Sequence, residues 1–497
     1  MADYFISVDK AESDLLSCAS FLAERIKSGD GHAEAMKTII PHFLAKGNVD
    51  LAAELANAVD DPFSRDKLLT AIAEKCADLD DYEYALQLTE AVEDHGMQAQ
   101  AFERVALVMA GKGETEKAAE VAAAMVHPDF VYAGIAIHQA SNGGADAANA
   151  TLDEIEFATA RASALQQIAA KQIQNTETEN VVQSLDRAVV AAGEIEHEEE
   201  KIRTLCDIGN LFIEAKQNEA AIATFEKARG FAEVLDNMHR DFFLVNCALG
   251  FLFAGNAELA DETLDLVTDK TQMASALLGF ARDHWTKNEK EDAVETLEEA
   301  YAIVNSQRES ETRDSRARNG LLASIAAQFA GFGKSERGIE IALENIDTDE
   351  QTAALSQIAQ MLVVQKDDAR ARQTLNAIEE DANRLLAVIA LSDSKEKLGE
   401  REASIAFLDE AASLVDTVPQ HSARSGILNE IAVRLIANGE SVKAREISRQ
   451  NLEVICEIRD ESSRAVELAK LSTVYEHANF EVSESEKNIL GKLTRSF

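Results

Sequence analysis

Along most of this chain the apolar residues return in one order. A large residue is followed three positions later by a second large one, and then at once by a small one. Leu69, Ile72 and Ala73 show the pattern, as do Leu165, Ile168 and Ala169, and Leu428, Ile431 and Ala432. Large residues three apart share one stripe of an α-helix, and the small residue lets a neighbouring helix approach closely. Twelve residues further on a second small residue lies in a second amphipathic stretch: Ala85 follows Ala73, Ala260 follows Ala248, and Ala444 follows Ala432.

Between the two stretches the chain turns. Seven residues after the first small residue stand Gly47, Gly113, Gly143, Gly255, Gly333, Gly399 and Gly439, with Asn288 and Asn479 in two further units. Glycine and asparagine tolerate the left-handed conformation that ends a helix. Each stretch pair is therefore predicted to be a helix–turn–helix. The first small positions fall at Ile40, Ala73, Ala106, Ala136, Ala169, Gly209, Ala248, Ala281, Ala326, Ala359, Ser392, Ala432 and Ser472, spaced 30 to 45 residues apart. The wider spacings predict extended second helices. Asp60-Asp61-Pro62, ahead of the Ala73 helix, reads as a cap followed by a first-turn proline.

These units resemble tetratricopeptide repeats. That family has a helix–turn–helix of about 34 residues with apolar residues at its fourth and seventh positions, a small one at the eighth and alanine at the twentieth. Around Gly209 the match continues through Ala221, Phe225 and Ala228, and the resemblance runs from about Ala33 to about Ile489. The family's tryptophan, tyrosine and terminal proline are mostly missing. The resemblance implies an all-α, right-handed superhelical solenoid of about thirteen units, with first helices lining its concave surface. Residues 1–30 are expected to form an N-terminal capping helix, the second helix of a truncated leading unit, because Ala19 precedes Ile40 by the same 21 residues that separate Ala85 from Ala106. Residues 31–497 are expected to form one continuous repeat array. Ser483 to Phe497 should complete the unit of Ser472, and both ends should present a polar outer side.

Length and charge sharpen this picture. A single core stops growing near 250–300 residues, so 497 residues suit several domains or a repeat array. Acidic residues outnumber basic ones 89 to 48, giving a net charge of −41. Such a surface repels phosphate backbones, which excludes ordinary nucleic-acid binding; it reads either as a solvated surface on an elongated molecule or as a means of steering a basic partner. The five cysteines are scattered without a Cys-x-x-Cys pair and read as buried free thiols in a reducing compartment. No basic leader followed by an apolar stretch opens the chain, and no run approaches the ~20 apolar residues that span a bilayer. A cytoplasmic protein with no membrane insertion is expected.

Chemistry is scarce. Gly331-Phe332-Gly333-Lys334-Ser335 lacks the glycine a phosphate-binding loop needs five residues earlier, where Gln328 stands, and it falls in a repeat turn. His197-Glu198-Glu199-Glu200-Lys201 lacks the second histidine of a zinc protease helix. Asp78, Asp80, Asp81 and Glu83 lack the glycine and distal glutamate of a calcium loop. No histidines pair beside carboxylates at ligand spacing. No catalytic residue, cofactor or metal site is expected, and the chain reads as a non-enzyme.

One segment breaks the amphipathic rule. From Asp241 to Phe253 the first helix is apolar all round. It is either a central helix buried by long neighbours or an apolar groove wall or dimer seam. By the family resemblance Phe242, Val245, Leu249, Leu252 and Phe253 face a ligand. The function expected is a scaffold or adaptor that holds a protein or peptide segment on the concave surface. The alternative is a helical-repeat sensor that binds a small molecule or peptide and signals to a separate effector chain.

Overall fold

A computed structural model describes residues 5–175, 178–306, 315–345 and 348–495. Among these residues every regular element is a helix. The order begins α1 (Val8–Ala11), α2 (Leu15–Ala23), α3 (Gly29–Ala45), α4 (Val49–Asn57), α5 (Pro62–Asp78), α6 (Tyr82–Glu90) and α7 (His95–Gly111). It continues α8 (Thr115–Ala123), α9 (Asp129–Ser141), α10 (Ala145–Asp153), α11 (Ala158–Gln174), α12 (Thr178–Gly193), α13 (Glu198–Glu214) and α14 (Asn218–Glu233). Next come α15 (Arg240–Phe253), α16 (Ala257–Leu264), α17 (Lys270–Thr286), α18 (Lys290–Ser306), α19 (Ser315–Gly331), α20 (Ser335–Asn345) and α21 (Thr348–Val364). The last are α22 (Asp368–Leu375), α23 (Asp381–Lys397), α24 (Arg401–Leu414), α25 (His421–Ala437), α26 (Ser441–Glu457), α27 (Glu461–His477) and α28 (Glu484–Arg495).

Every odd-numbered helix from α3 to α27 carries one of the thirteen first small positions, and all of those positions are buried. The second small positions from Ala52 to Ala444 are buried as well wherever an alanine stands there. Spacing tracks helix length as expected. The second helices α4, α6, α8 and α10 have 9 residues, whereas α12 and α14 have 16 and α18 and α26 have 17.

Among the described residues, the turn seven residues after a first small position is more uniform than its sequence. All seven glycines named above have positive φ, as do Asn288 and Asn479. Asp80, Lys216 and Lys366 occupy the same place in their units with φ of 64°, 60° and 66°. The turn imposes this conformation even where the side chain disfavours it. Gly333 sits in such a turn, so the Gly331–Ser335 stretch is a repeat turn between α19 and α20. Asp61 caps α5 as expected, its carboxylate accepting from Ser64 N–H at 2.8 Å.

Two kinds of polar staple recur. Asp66, Asp129 and Asp241, each seven residues before a first small position, are buried at the head of a first helix. Each carboxylate accepts two backbone N–H groups 27 and 28 residues onward: Glu93 and Asp94, Glu156 and Phe157, and Thr268 and Asp269. One position earlier in the register stand Gln98, Arg161, Arg424 and Arg464. Each donates to the buried carbonyl six residues back, at Val92, Ile155, Val418 and Ile458 respectively. Both devices satisfy loop groups that a helix end leaves without partners.

The helices form two compact units, residues 106–354 and residues 1–105 together with 355–497. In the second of these the two chain ends meet. Helix α2 packs along α27, and α3 packs on the same helix. Thr473 of α27 bonds His42 Nδ1 at 3.1 Å, and Lys46 pairs with Glu476 at 3.1 Å. Thr494 of α28 donates to Glu12 at 3.2 Å. The expectation of a polar terminal cap is corrected here, because all nine residues of α2 are buried. Helix α2 is indeed a second helix, but its first helix is α27, from the opposite end of the chain. The expectation that the final segment completes the Ser472 unit is corrected too. Twelve residues after Ser472 stands Glu484, which cannot enter a close helix contact, whereas Ala19 can. Helix α28 packs instead on α26, α2 and α1. Its Glu486, buried at 1% exposure, is held by Tyr475 O–H, Ser483 N–H and Arg445.

Candidate protein-interaction face

Helix α15 lies within residues 106–354, in one continuous core of buried side chains running from Ala133 to Phe280. It contacts α13, α14, α16 and α17. Two glycines permit that density. The ring of Phe225 on α14 fills the space over Gly209 of α13 and Gly250 of α15, where an added methyl would meet ring carbons at 2.6 and 2.4 Å. The same ring meets Phe251 edge-on at 5.9 Å between centroids. Such aromatic edges add to the stabilisation from buried area.

Four-sided packing separates the five residues expected to face a ligand. Phe242 and Phe253 are 43% and 48% exposed, and Leu249 is half-buried. Val245 and Leu252 are only 4% and 6% exposed, so they belong to the core, where neighbouring helices remove them from water. Leu249 lies across Gly279 of α17, with a terminal methyl 2.3 Å from where a Cβ would stand. The two exposed phenylalanines are eleven residues apart, about three helical turns, so they share one face at about 16 Å separation. The matching register positions on α13 hold Arg203 and Glu214, and those on α17 hold Ser275 and Thr286, all exposed. Between them on α13, loss of water raises the Asp207 carboxyl above its ordinary pKa, with Arg203 opposing the shift.

Register also exposes residues that sequence reasoning passed over. Phe130 of α9 sits where Phe242 sits on α15, six residues before the small position, and is 46% exposed. Phe157, at the head of α11, is exposed and tilts against His127 with centroids 5.7 Å apart.

The remaining chemistry is modest. Cys206 and Cys247 face each other with sulfurs 3.9 Å apart, and all five cysteines are free thiols. The Cys206 contact and burial push the Cys247 thiol well up, which leaves little reactive thiolate. His284, Glu289 and Asp292, at the turn between α17 and α18, bring a ring nitrogen and two carboxylates within 4.8 Å. These three side chains could hold a cation, a grouping that linear spacing did not reveal. His284 Nδ1 already bonds Glu289 at 2.7 Å, and all three side chains are solvent-accessible. No helix among the described residues is long and apolar enough to cross a membrane.

Comparison with known proteins bears on the family. Residues 202–228, spanning most of α13 and most of α14, match the Tetratricopeptide repeat family. No curated protein matches the chain. Among solved structures, Ton1535 from Thermococcus onnurineus NA1 is 15% identical, with a TM-score of 0.20 over 80% of this chain and 98% of that one. The apo form of the quorum sensor NprR from B. thuringiensis is 12% identical, with a TM-score of 0.26 over 73% of this chain and 100% of that one. With the matched repeat at α13–α14 and the same register in thirteen first helices, the chain is a TPR-like helical-repeat protein.

Proposed function

We propose that this protein is a non-catalytic binding module that holds a protein or peptide segment against the face of α15 carrying Phe242, Leu249 and Phe253. Helical repeats of this kind offer extended side-chain surfaces to protein or peptide partners. The observation that carries the reading is the pair Phe242 and Phe253, exposed on one face of a helix whose other large side chains are mostly buried. Large aromatic side chains left in water on a rigid, well-packed element are the usual anchors of an interface. With a net charge of −41, a partner with apolar anchors and basic flanks is favoured, and charge would accelerate its approach.

Selection of a displayed random-peptide library against the purified chain tests this. Enriched peptides should combine two large apolar residues with lysine or arginine. Their affinity should fall about thirtyfold in Phe242→Ser and Phe253→Ser, the size of a lost interface anchor of about 2 kcal/mol, while the melting temperature stays within a degree or so. Peptides that bind both variants as well as the parent chain would sink the reading.

A further inference from the structure

A cavity of about 240 Å³ lies between the pair α9–α10 and the pair α11–α12. It arises where short α10 stands beside longer α12 and the facing positions are Gly143, Ala145 and Ala148. Its floor is apolar, from Leu152, Leu165 and Ile168. Its walls are not. Lys171, Arg187 and a set of amides and hydroxyls line it, and none of its lining residues among those described is acidic. In a chain with 89 acids that is unusual: the recess at the head of α13 is lined by Glu196, Glu198, Glu199 and Glu200.

The charges in the cavity are unevenly satisfied. Arg187 reaches across to Asn149 and pairs with Asp153 at 3.1 Å, which neutralises it. Among the described residues Lys171 Nζ is held only by Ser141 Oγ at 3.0 Å, and no carboxylate pairs with it. An ammonium has three donors, so Lys171 can bind an anion without losing its serine. Among the described residues the cavity therefore carries one positive charge without a carboxylate partner. Gln172 and Ser184, bonded to each other at 2.9 Å, line the same cavity. Amide and hydroxyl side chains both donate and accept, as adjacent hydroxyl groups on a ligand require. The volume falls below the ~300–1,000 Å³ of drug-sized sites, so the ligand is metabolite-sized.

We infer that this cavity binds a short hydroxylated monocarboxylate, a sugar acid in chemical terms, with its carboxylate on Lys171 and its hydroxyls on the amide and serine wall. Because Lys171 is exposed, the contact is partly screened and the affinity modest, about millimolar. The site is separate from the α15 face and does not rest on peptide binding there.

Titration of the full chain with gluconate, followed by calorimetry or backbone NMR shifts, decides the matter. Saturable binding is expected, with shifts centred on residues 141–187. Sorbitol, the neutral analogue, should bind at least tenfold more weakly, and Lys171→Met should lose about tenfold in gluconate affinity with unchanged circular dichroism. Any one of three results would overturn the inference: no saturation by about 50 mM gluconate, equal affinity for sorbitol, or full affinity in Lys171→Met.

Discussion

The hydroxyls of Ser392 and Ser404 lie 3.2 Å apart, fully buried, where most other units place two alanines in contact. Each serine supplies the other's partner, and Asn438 adds a longer bond to Ser404 at 3.4 Å. The α23–α24 pair thus keeps the close approach of its helices while carrying two polar groups in the core. Replacing either serine alone with alanine should cost about 1–2 kcal/mol, because the surviving hydroxyl loses a buried hydrogen-bond partner. The double alanine variant should be less destabilised than the sum of the two singles. Urea unfolding of all four proteins measures the coupling, and strict additivity would contradict it.

Asp241 joins the head of α15 to the loop before α17. Burial alone would raise its pKa. The N–H groups of Asp269 and Thr268, the Thr268 hydroxyl and Arg240 outweigh that and hold it below the usual carboxylate value. A pKa depressed in the folded state gives stability that is present above the unfolded value near 3.9 and lost as pH falls through the folded value. Asp241→Ala should cost about 3 kcal/mol at pH 7, since two buried N–H groups lose an ionised acceptor. The gap in melting temperature between parent and variant should narrow markedly by pH 3. A gap independent of pH would show that the carboxylate charge does not matter.

The meeting of α2 with α27 makes a further claim. Deleting residues 1–24 should uncover the stripe of α27 that includes Leu468 and Leu471, both fully buried in the intact chain. Hydrogen exchange should then quicken in α27 and α28, more than four hundred residues from the cut, while α13–α16 keep their protection. Adding residues 1–24 back as a separate peptide should restore slow exchange. Unchanged protection in α27 after the deletion would disprove the seam.

Lys216 and Lys366 hold positive φ in turns where most other units place glycine. A side chain in that region costs about 1–2 kcal/mol, partly offset by the greater unfolded freedom of glycine. Lys216→Gly and Lys366→Gly should each stabilise the protein by about 0.5–1 kcal/mol, seen as a higher melting temperature. The reverse change, Gly399→Lys, should lower it.

The helix pairs themselves were legible in the linear pattern, because helix period, small contact residues and turn glycines act within about forty residues of chain. The thirteen first helices follow from that local chemistry, as do the longer second helices at wide spacings. Part of the α15 face was legible as well: an all-apolar helix announces burial, and Phe242 and Phe253 keep the exposure their register implied. Val245 and Leu252 went the other way, since only the placement of α13, α14, α16 and α17 decides which side of such a helix meets water. Tertiary structure alone brought α2 to α27, which joins groups more than four hundred residues apart in sequence, and Glu484, standing where α27 needed a small residue, shows why the chain's opening rather than its end fills that place. Local periodicity specifies which helices form; long-range burial and charge compensation specify which of them meet.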